Sequence, residues 1–293
     1  MFFAKLLIKF MHCWPFATGR YRLFTLLSDE AKDQLDALPQ PVQMRTGVKL
    51  FVRPRDHLSR IFRYFGTYEP KTCRLLREHA DPNRIFLDVG ANLGLHSLGV
   101  AKDVGCPVAA FEPGTKTADC LERSVEVNGL GSLVRVFRVA LASEAGMATF
   151  VEPPEHVGQS SLESPTDPAH RDGERFEVQV EALDQFAAFN DYLEETGMKV
   201  GLVKMDIEGA EEEALKGMME MLKTHRPAII MEIYDGNLNG FDSSRKSIFA
   251  LLEGLGYELT EEFDFNGLFL PTKVVESSRA VVAHEGGLKT AAI

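Results

Sequence analysis

Disulfide pairing, zinc ligation and membrane spanning are all poorly provided for in this 293-residue chain. Its four cysteines, Cys13, Cys73, Cys106 and Cys120, are widely spaced and make no C-x-x-C pair. That excludes a disulfide scaffold or a zinc ribbon and leaves reduced thiols in a folded interior. No apolar run is long enough to cross a bilayer as a helix. Positive charge is scarce in most of the chain. Residues 1–80 hold 14 Lys and Arg against 7 Asp and Glu, while residues 81–293 hold 18 against 36. An acidic body of this kind argues against nucleic acid as a partner, because phosphate binding needs clustered cations. There is no internal repeat, no low-complexity run and no G-x-G-x-x-G.

What is present alternates. Short apolar strands are expected at Ile85–Asp88, Pro107–Glu112, Val134–Val139, Gly201–Asp206 and Ala228–Ile233. Helices are expected at Leu93–Lys102 (capped by Asn92), Lys116–Asn128, Leu183–Thr196, Ala210–His225 and Ser243–Leu255. Two further strands, Met147–Val151 and Phe176–Val180, flank a polar loop over 152–175 that contains Ser160 and Ser161. A hairpin of Tyr257–Thr260 and Gly267–Leu270 closes the pattern at the sheet's far edge. Strand–helix alternation predicts an α/β fold with a mostly parallel sheet covered by helices on both faces. Residues 1–80 are read as a lid-like extension of helices and a short β element, 81–271 as the main domain, and 272–293 as a fraying tail. Residues 1–14 carry aromatics with Lys5 and Lys9 a helical turn apart. They are read as an amphipathic helix docked on the protein itself or a subunit partner, with peripheral membrane contact as the other reading. A signal peptide is a poor fit, and a cytoplasmic location is expected.

The informative segment is Ile85-Phe-Leu-Asp-Val-Gly-Ala-Asn-Leu-Gly94, followed by Glu112 at the end of the next strand. A strand, a glycine turn, a helix and a strand-terminal carboxylate together suit an adenosine-containing ligand whose ribose hydroxyls donate to the acid. Gly90 and Gly94 make only G-x-x-x-G, and Asp88 would repel a pyrophosphate. The same aspartate suits the ammonium group of S-adenosylmethionine. A second string, Val203-Lys-Met-Asp-Ile-Glu-Gly-Ala-Glu211, brings Asp206 and Glu208 to another strand end. These are the candidate bases for an acceptor hydroxyl, with His96 a third. Glu211, Glu212 and Glu213 are read as acids favoured by a helix N-terminus.

The strings FLDVGANLGLHS, AFEP and VKMDIEGAE, with FRYFGTYEP upstream and RPAIIMEIY downstream, resemble the signature blocks of the FkbM family of S-adenosylmethionine-dependent methyltransferases over about residues 50–270. The resemblance implies a class I methyltransferase (Rossmann-like) sheet of seven strands, the last antiparallel. It also implies O-methylation of a sugar, glycan, glycolipid or natural-product acceptor. Carried over by position, Asp88, Gly90, Asn92, Gly94 and Glu112 would contact S-adenosyl-L-methionine, Tyr68 and Glu69 would close over its amino-acid end, and Ala140 would lie by adenine. Asp206 and Glu232 resemble the metal-holding positions of catechol-type O-methyltransferases, but with no third ligand evident a metal is not expected. Tyr68 and Tyr234 are candidate acceptor walls. A non-catalytic binder of the same cofactor and an N-methyltransferase are the alternatives, and a nicotinamide oxidoreductase is disfavoured by the missing glycine.

Overall fold

The computed structural model describes residues 28–36, 38, 40–153, 155–163, 173–234 and 243–272, together with Leu6, Lys9 and Phe10. Most of the expected helix over 1–14 and the tail after Thr272 therefore lie outside the described residues, as do residues 154 and 164–172 of the expected loop. Among the described residues, no helix is long and apolar enough to cross a membrane.

The chain enters through α1 (Asp29–Asp36), a two-residue antiparallel pair β1 (Val42–Gln43) and β2 (Lys49–Leu50), then α2 (His57–Phe65) and α3 (Pro70–His79). The central units follow: β3 (Ile85–Val89), α4 (Leu95–Val104), β4 (Val108–Phe111), α5 (Thr115–Val127) and β5 (Val134–Phe137). Next come β6 (Ala140–Leu141), β7 (Gly146–Glu152), β8 (Ser161–Leu162) and β9 (Glu174–Glu181), then α6 (Ala187–Thr196) and β10 (Val200–Met205). The chain ends with α7 (Glu211–Lys216), α8 (Met219–His225), β11 (Ala228–Glu232), α9 (Arg245–Gly254), β12 (Tyr257–Phe263) and β13 (Asn266–Pro271).

Seven strands form one sheet in the order β12-β13-β11-β10-β3-β4-β5. β3, β4, β5, β10 and β11 pair in parallel, and β13 runs antiparallel between β11 and β12. This is the class I methyltransferase sheet, with the final strand reversed. The central strands are buried on both faces, as a sheet covered twice requires. Alternation then divides them. Ile85, Leu87, Val89, Val203 and Met205 pack with Leu183, Phe189, Leu215, Leu222 and Ile248 from the later helices. Phe86, Ala110 and Leu202 pack with Phe62, Leu76, Leu98 and Leu121 from α2 to α5. The period of two therefore turns Asp88 and Lys204 toward the early helices.

Several boundaries depart from the sequence expectation, each for a local reason. The helix expected from Leu93 starts at Leu95, because Gly94 takes a left-handed φ of 88° as its N-cap. Asn92 is not the cap. Its own φ is 50°, and its side-chain amide donates to Val157 O instead (3.1 Å). The helix expected over Ala210–His225 is two helices, interrupted at Gly217 and Met218, where a Cβ on Gly217 would fall 2.0 Å from Ala142 O. The expected Leu183–Thr196 helix opens as a separate 3₁₀ turn, Leu183–Gln185. β5 stops at Phe137, and the following β6 leaves for a second sheet, β6-β9-β7-β8, that the alternation did not foretell.

One contact fixes the spacing of the two central loops. Gly90 has φ 80°, and a Cβ there would lie 2.0 Å from the Asp206 carbonyl oxygen. Left-handed geometry costs an ordinary residue about 1–2 kcal/mol, and the backbone overlap adds to it. Gly90→Ala is expected to lower unfolding stability by at least about 2 kcal/mol. The midpoint of a urea titration checks this, and an unchanged midpoint would refute the close approach.

Candidate active site

A cleft of about 1040 Å³, its open mouth included, lies beyond the carboxyl ends of β3, β4, β10 and β11. This is where open α/β sheets bind ligands. Of the residues expected from sequence, Tyr68, Glu69, Gly90, Asn92, Glu112, Ala140, Asp206 and Glu208 all line it, with His96 and Glu232. Asp88 and Gly94 do not. Gly94 lies beneath the loop, against Leu98 and Leu121, and Asp88 is fully buried.

The nucleoside end is built around Glu112. Its Oε2 accepts from the Asn92 N–H (2.9 Å) and its Oε1 from the Gly114 N–H (2.8 Å). Each oxygen keeps a lone pair for a further donor. Burial pushes this carboxyl up to about 7, against those two N–H groups and with Glu152 and Asp88 adding repulsion. Glu152 is itself buried and paired with Arg53 from the N-terminal part of the chain. The apolar residues Val139, Ala140, Leu141, Phe150 and Ile207 line the same cleft. Part of its wall is a loop secured by Asp56, a fully buried side chain. Its two oxygens cap α2 through Ser59 N (2.7 Å) and accept from Val157 N (2.9 Å). The same loop carries Ser160, whose buried hydroxyl has no partner among the described residues.

The other end is charged. Glu69 occupies the N-cap of α3 in a left-handed conformation, φ 42°. Its Oε2 lies 3.1 Å from His96 Nε2, and Cys73 Sγ lies 3.7 Å from His96 Nδ1. Burial works against charging His96, but Cys73 and Glu69 outweigh it and raise the imidazole to about 10. Burial likewise opposes the Glu69 carboxylate, and His96 with Lys204 holds it down at about 2. The Glu69 carboxylate beside Nε2 favours the protonated imidazole, which argues against His96 as the base.

Lys204 was not picked out from sequence. It is 3% exposed, pairs in register with Asp88, and places Nζ 3.0 Å from Asp206 Oδ2. Burial opposes its charge, but Asp206, Asp88 and Glu69 raise it far above the ordinary lysine range. The signal was present: a lone lysine inside the apolar run Gly201–Met205 must be buried, and a buried ammonium must have acids around it. Glu211 stands with Glu212 and Glu213 in the first turn of α7, as expected, and has a further role. Its carboxylate accepts from Ile207 N and Gly209 N (3.0 Å each), bracing the loop that carries Asp206 and Glu208. Within that loop Glu208 and Gly209 take φ of 55° and 111°. At its end, single oxygens of Asp206, Glu208 and Glu232 all lie within 4.8 Å of one another. Glu208 thus provides the third oxygen ligand that the sequence did not reveal. The spacing would admit a hard cation, although acidic groups often converge without one.

The chain matches the methyltransferase FkbM domain over residues 88–259, more than half its length. The fold and the site define a class I methyltransferase. The chain belongs to the FkbM family, and its cofactor is S-adenosylmethionine. Two curated relatives are similar to it. Methyltransferase sdnD of Sordaria araneosa is 28% identical over 201 residues, covering 61% of this chain and 76% of that protein. Hexuronic acid methyltransferase AglP of Haloferax volcanii is 29% identical over 170 residues, covering 57% of this chain and 63% of that protein. Among solved structures, methyltransferase FkbM of Methylobacillus flagellatus aligns with TM-score 0.44 and 17% identity, over 65% of this chain and 44% of that chain. The match thus spans less than two thirds of AglP and less than half of the solved chain.

The residues present fit the cofactor. Asp88 is fully buried, with Oδ2 held by Ser97 Oγ (2.5 Å) and Oδ1 without a partner among the described residues. Glu112 offers two acceptors to a ribose diol, and the cleft rim is acidic enough for a sulfonium. The pH dependence follows from Glu112. Its folded pKa of about 7 lies above the ordinary value of 4.5. Its contribution to folding stability is therefore complete below 4.5 and lost as the pH rises through 7, and Glu211, also raised by burial to about 7, acts in the same direction. A ribose diol favours the ionised form of Glu112, so cofactor affinity should rise as the pH goes from about 6 to about 8. Titration calorimetry at both pH values should show this, and Glu112→Gln should bind more weakly and flatten the dependence. A wild-type affinity independent of pH would refute the assignment.

Proposed function

We propose that this chain transfers a methyl group to a hydroxyl of an uncharged sugar, glycan or natural-product acceptor, with Glu208 as the base. The observation that carries this reading is the convergence of Asp206, Glu208 and Glu232 at the charged end of the cleft. Bound in the cleft, S-adenosylmethionine supplies an electrophilic methyl group on a sulfonium. The protein's task is to align an acceptor oxygen and remove its proton as the new bond forms. Alignment alone is worth about 7–11 kcal/mol, and a positioned base adds about 10²–10⁴-fold. Asp206 Oδ2 accepts from the buried Lys204 ammonium, so Asp206 is assigned to that pairing and Glu208 to the acceptor's proton. An acceptor bearing its own carboxylate would meet three others at this rim, so a neutral ring is favoured. AglP, named for a hexuronic acid, supports a sugar as the acceptor class, although that sugar carries a carboxylate and the neutral ring rests on the acidic rim alone.

N-methylation is the second reading, and the same acidic rim favours it, because carboxylates would hold an ammonium group. A panel of neutral glycosides, uronosides and amino sugars, assayed by S-adenosylhomocysteine release and mass spectrometry of the product, separates the two. The expected product carries its methyl on oxygen of a neutral glycoside, and Glu208→Gln is expected to lower kcat by about 10²–10⁴-fold with cofactor affinity retained. A methylated amine, or a Glu208→Gln enzyme with unchanged kcat, would overturn this assignment.

The Lys204 ammonium already supplies a cation at Asp206, so the reaction is assigned to carboxylates acting without a divalent ion. Dialysis against EDTA is expected to leave the rate unchanged. A loss of rate restored by Mg²⁺ would instead make Asp206, Glu208 and Glu232 metal ligands.

A further inference from the structure

The Lys204 ammonium is more than a counter-charge for Asp206. Its side chain is 4% exposed, yet it lines the cleft. An ammonium has three N–H donors. Asp206 Oδ2 is its hydrogen-bond partner at 3.0 Å, and the other two donors have none among the described residues. A buried charged donor left unmatched is costly, and such a group facing a cavity marks where a ligand oxygen belongs.

The surroundings say which ligand. Glu69 and His96 form one charge pair, Lys204 and Asp206 form another, and all four residues line the cleft. This end of the cleft therefore offers free donors on a cation and, in the Glu69 carboxylate, lone pairs beyond its His96 contact. An α-amino acid carries the complementary pair, a carboxylate and an ammonium on one carbon. We infer that Lys204 is the receptor for the α-carboxylate of the cofactor's amino-acid moiety, with Glu69 on the ammonium side. This rests on S-adenosylmethionine being the cofactor, and it adds a binding residue to the Tyr68–Glu69 element expected to close over that end.

The test compares two ligands that share a nucleoside. S-adenosylhomocysteine carries the amino-acid group, and 5′-methylthioadenosine lacks it. Wild-type protein titrated calorimetrically should bind the first much more tightly than the second. Lys204→Met should weaken S-adenosylhomocysteine by about 30-fold or more and leave 5′-methylthioadenosine unchanged. The unchanged nucleoside affinity serves as the control for folding. Because Lys204→Met strands Asp206 as a lone carboxylate that could itself repel the ligand, the double variant Lys204→Met/Asp206→Asn is titrated as well. It should show the same selective loss.

Equal losses for both ligands would make Lys204 a structural residue and overturn the inference. So would an undiminished affinity for S-adenosylhomocysteine in either variant, or a selective loss that disappears in the double variant. Wild-type protein that binds neither ligand would overturn the cofactor assignment and the inference with it.

Discussion

A charged lysine held inside a parallel sheet is the constraint around which this site is arranged. Leu202, Val203 and Met205 beside it are fully buried, and the strand is covered on both sides. Removing one partner from such a buried pair costs about 3–5 kcal/mol, so the position of Lys204 dictates where acids must be. Strand register places Asp88 directly across from it. The next side chain on the same face of the strand path, Asp206, accepts its hydrogen bond. Glu69 completes the set from the N-cap of α3, and its own carboxylate is steadied by His96. Elements far apart in sequence are thereby tied to one charge.

The loops beyond the strands follow from the same closeness. β3 and β10 are neighbours, so the turns that leave them compete for one space, and Gly90 resolves this by having no Cβ where the Asp206 carbonyl passes. The loop after β10 then turns back through two left-handed residues, Glu208 and Gly209. Strain of this kind persists only where the surroundings over-determine it. Here Glu211 does so, accepting both backbone N–H groups of the turn. The loop gains a fixed shape, and the carboxylate ends of Asp206, Glu208 and Glu232 are brought together.

Much of this was legible in the residues. The alternation of apolar runs with helical stretches locates every strand of the seven-stranded sheet, and the acids at the ends of β3, β4 and β10 identify the cleft. What stayed hidden depended on contacts between distant segments. Nothing local in Asn92 shows that its side chain reaches Val157 and not the helix that follows. Nor does Gly217 reveal that the Ala142 carbonyl will approach and divide the helix around it. The second sheet escaped notice because β6 and β8 are two residues each, too short to carry a periodic signal. Lys204 was overlooked for a different reason. A single charge leaves the apolar pattern of a strand intact, although its burial alone demands partners.

Two buried acids at opposite ends of the cleft have opposite fates, and the difference is instructive. Glu69 has a cationic neighbour and stays ionised. Glu112 has only backbone donors, with Glu152 and Asp88 for company, so burial drives its carboxyl toward neutrality. The nucleoside end is thus poised near its titration point, while the amino-acid end is charged on both sides and only partly paired. Neither condition is comfortable for the protein alone. A ligand with a diol at one end and a zwitterion at the other would suit both, since a diol favours the Glu112 carboxylate and a zwitterion complements Lys204 and Glu69. Glu112 follows β4 and Lys204 lies in β10, with β3 between them, so the two ends of the cleft are built on separate strands of one sheet.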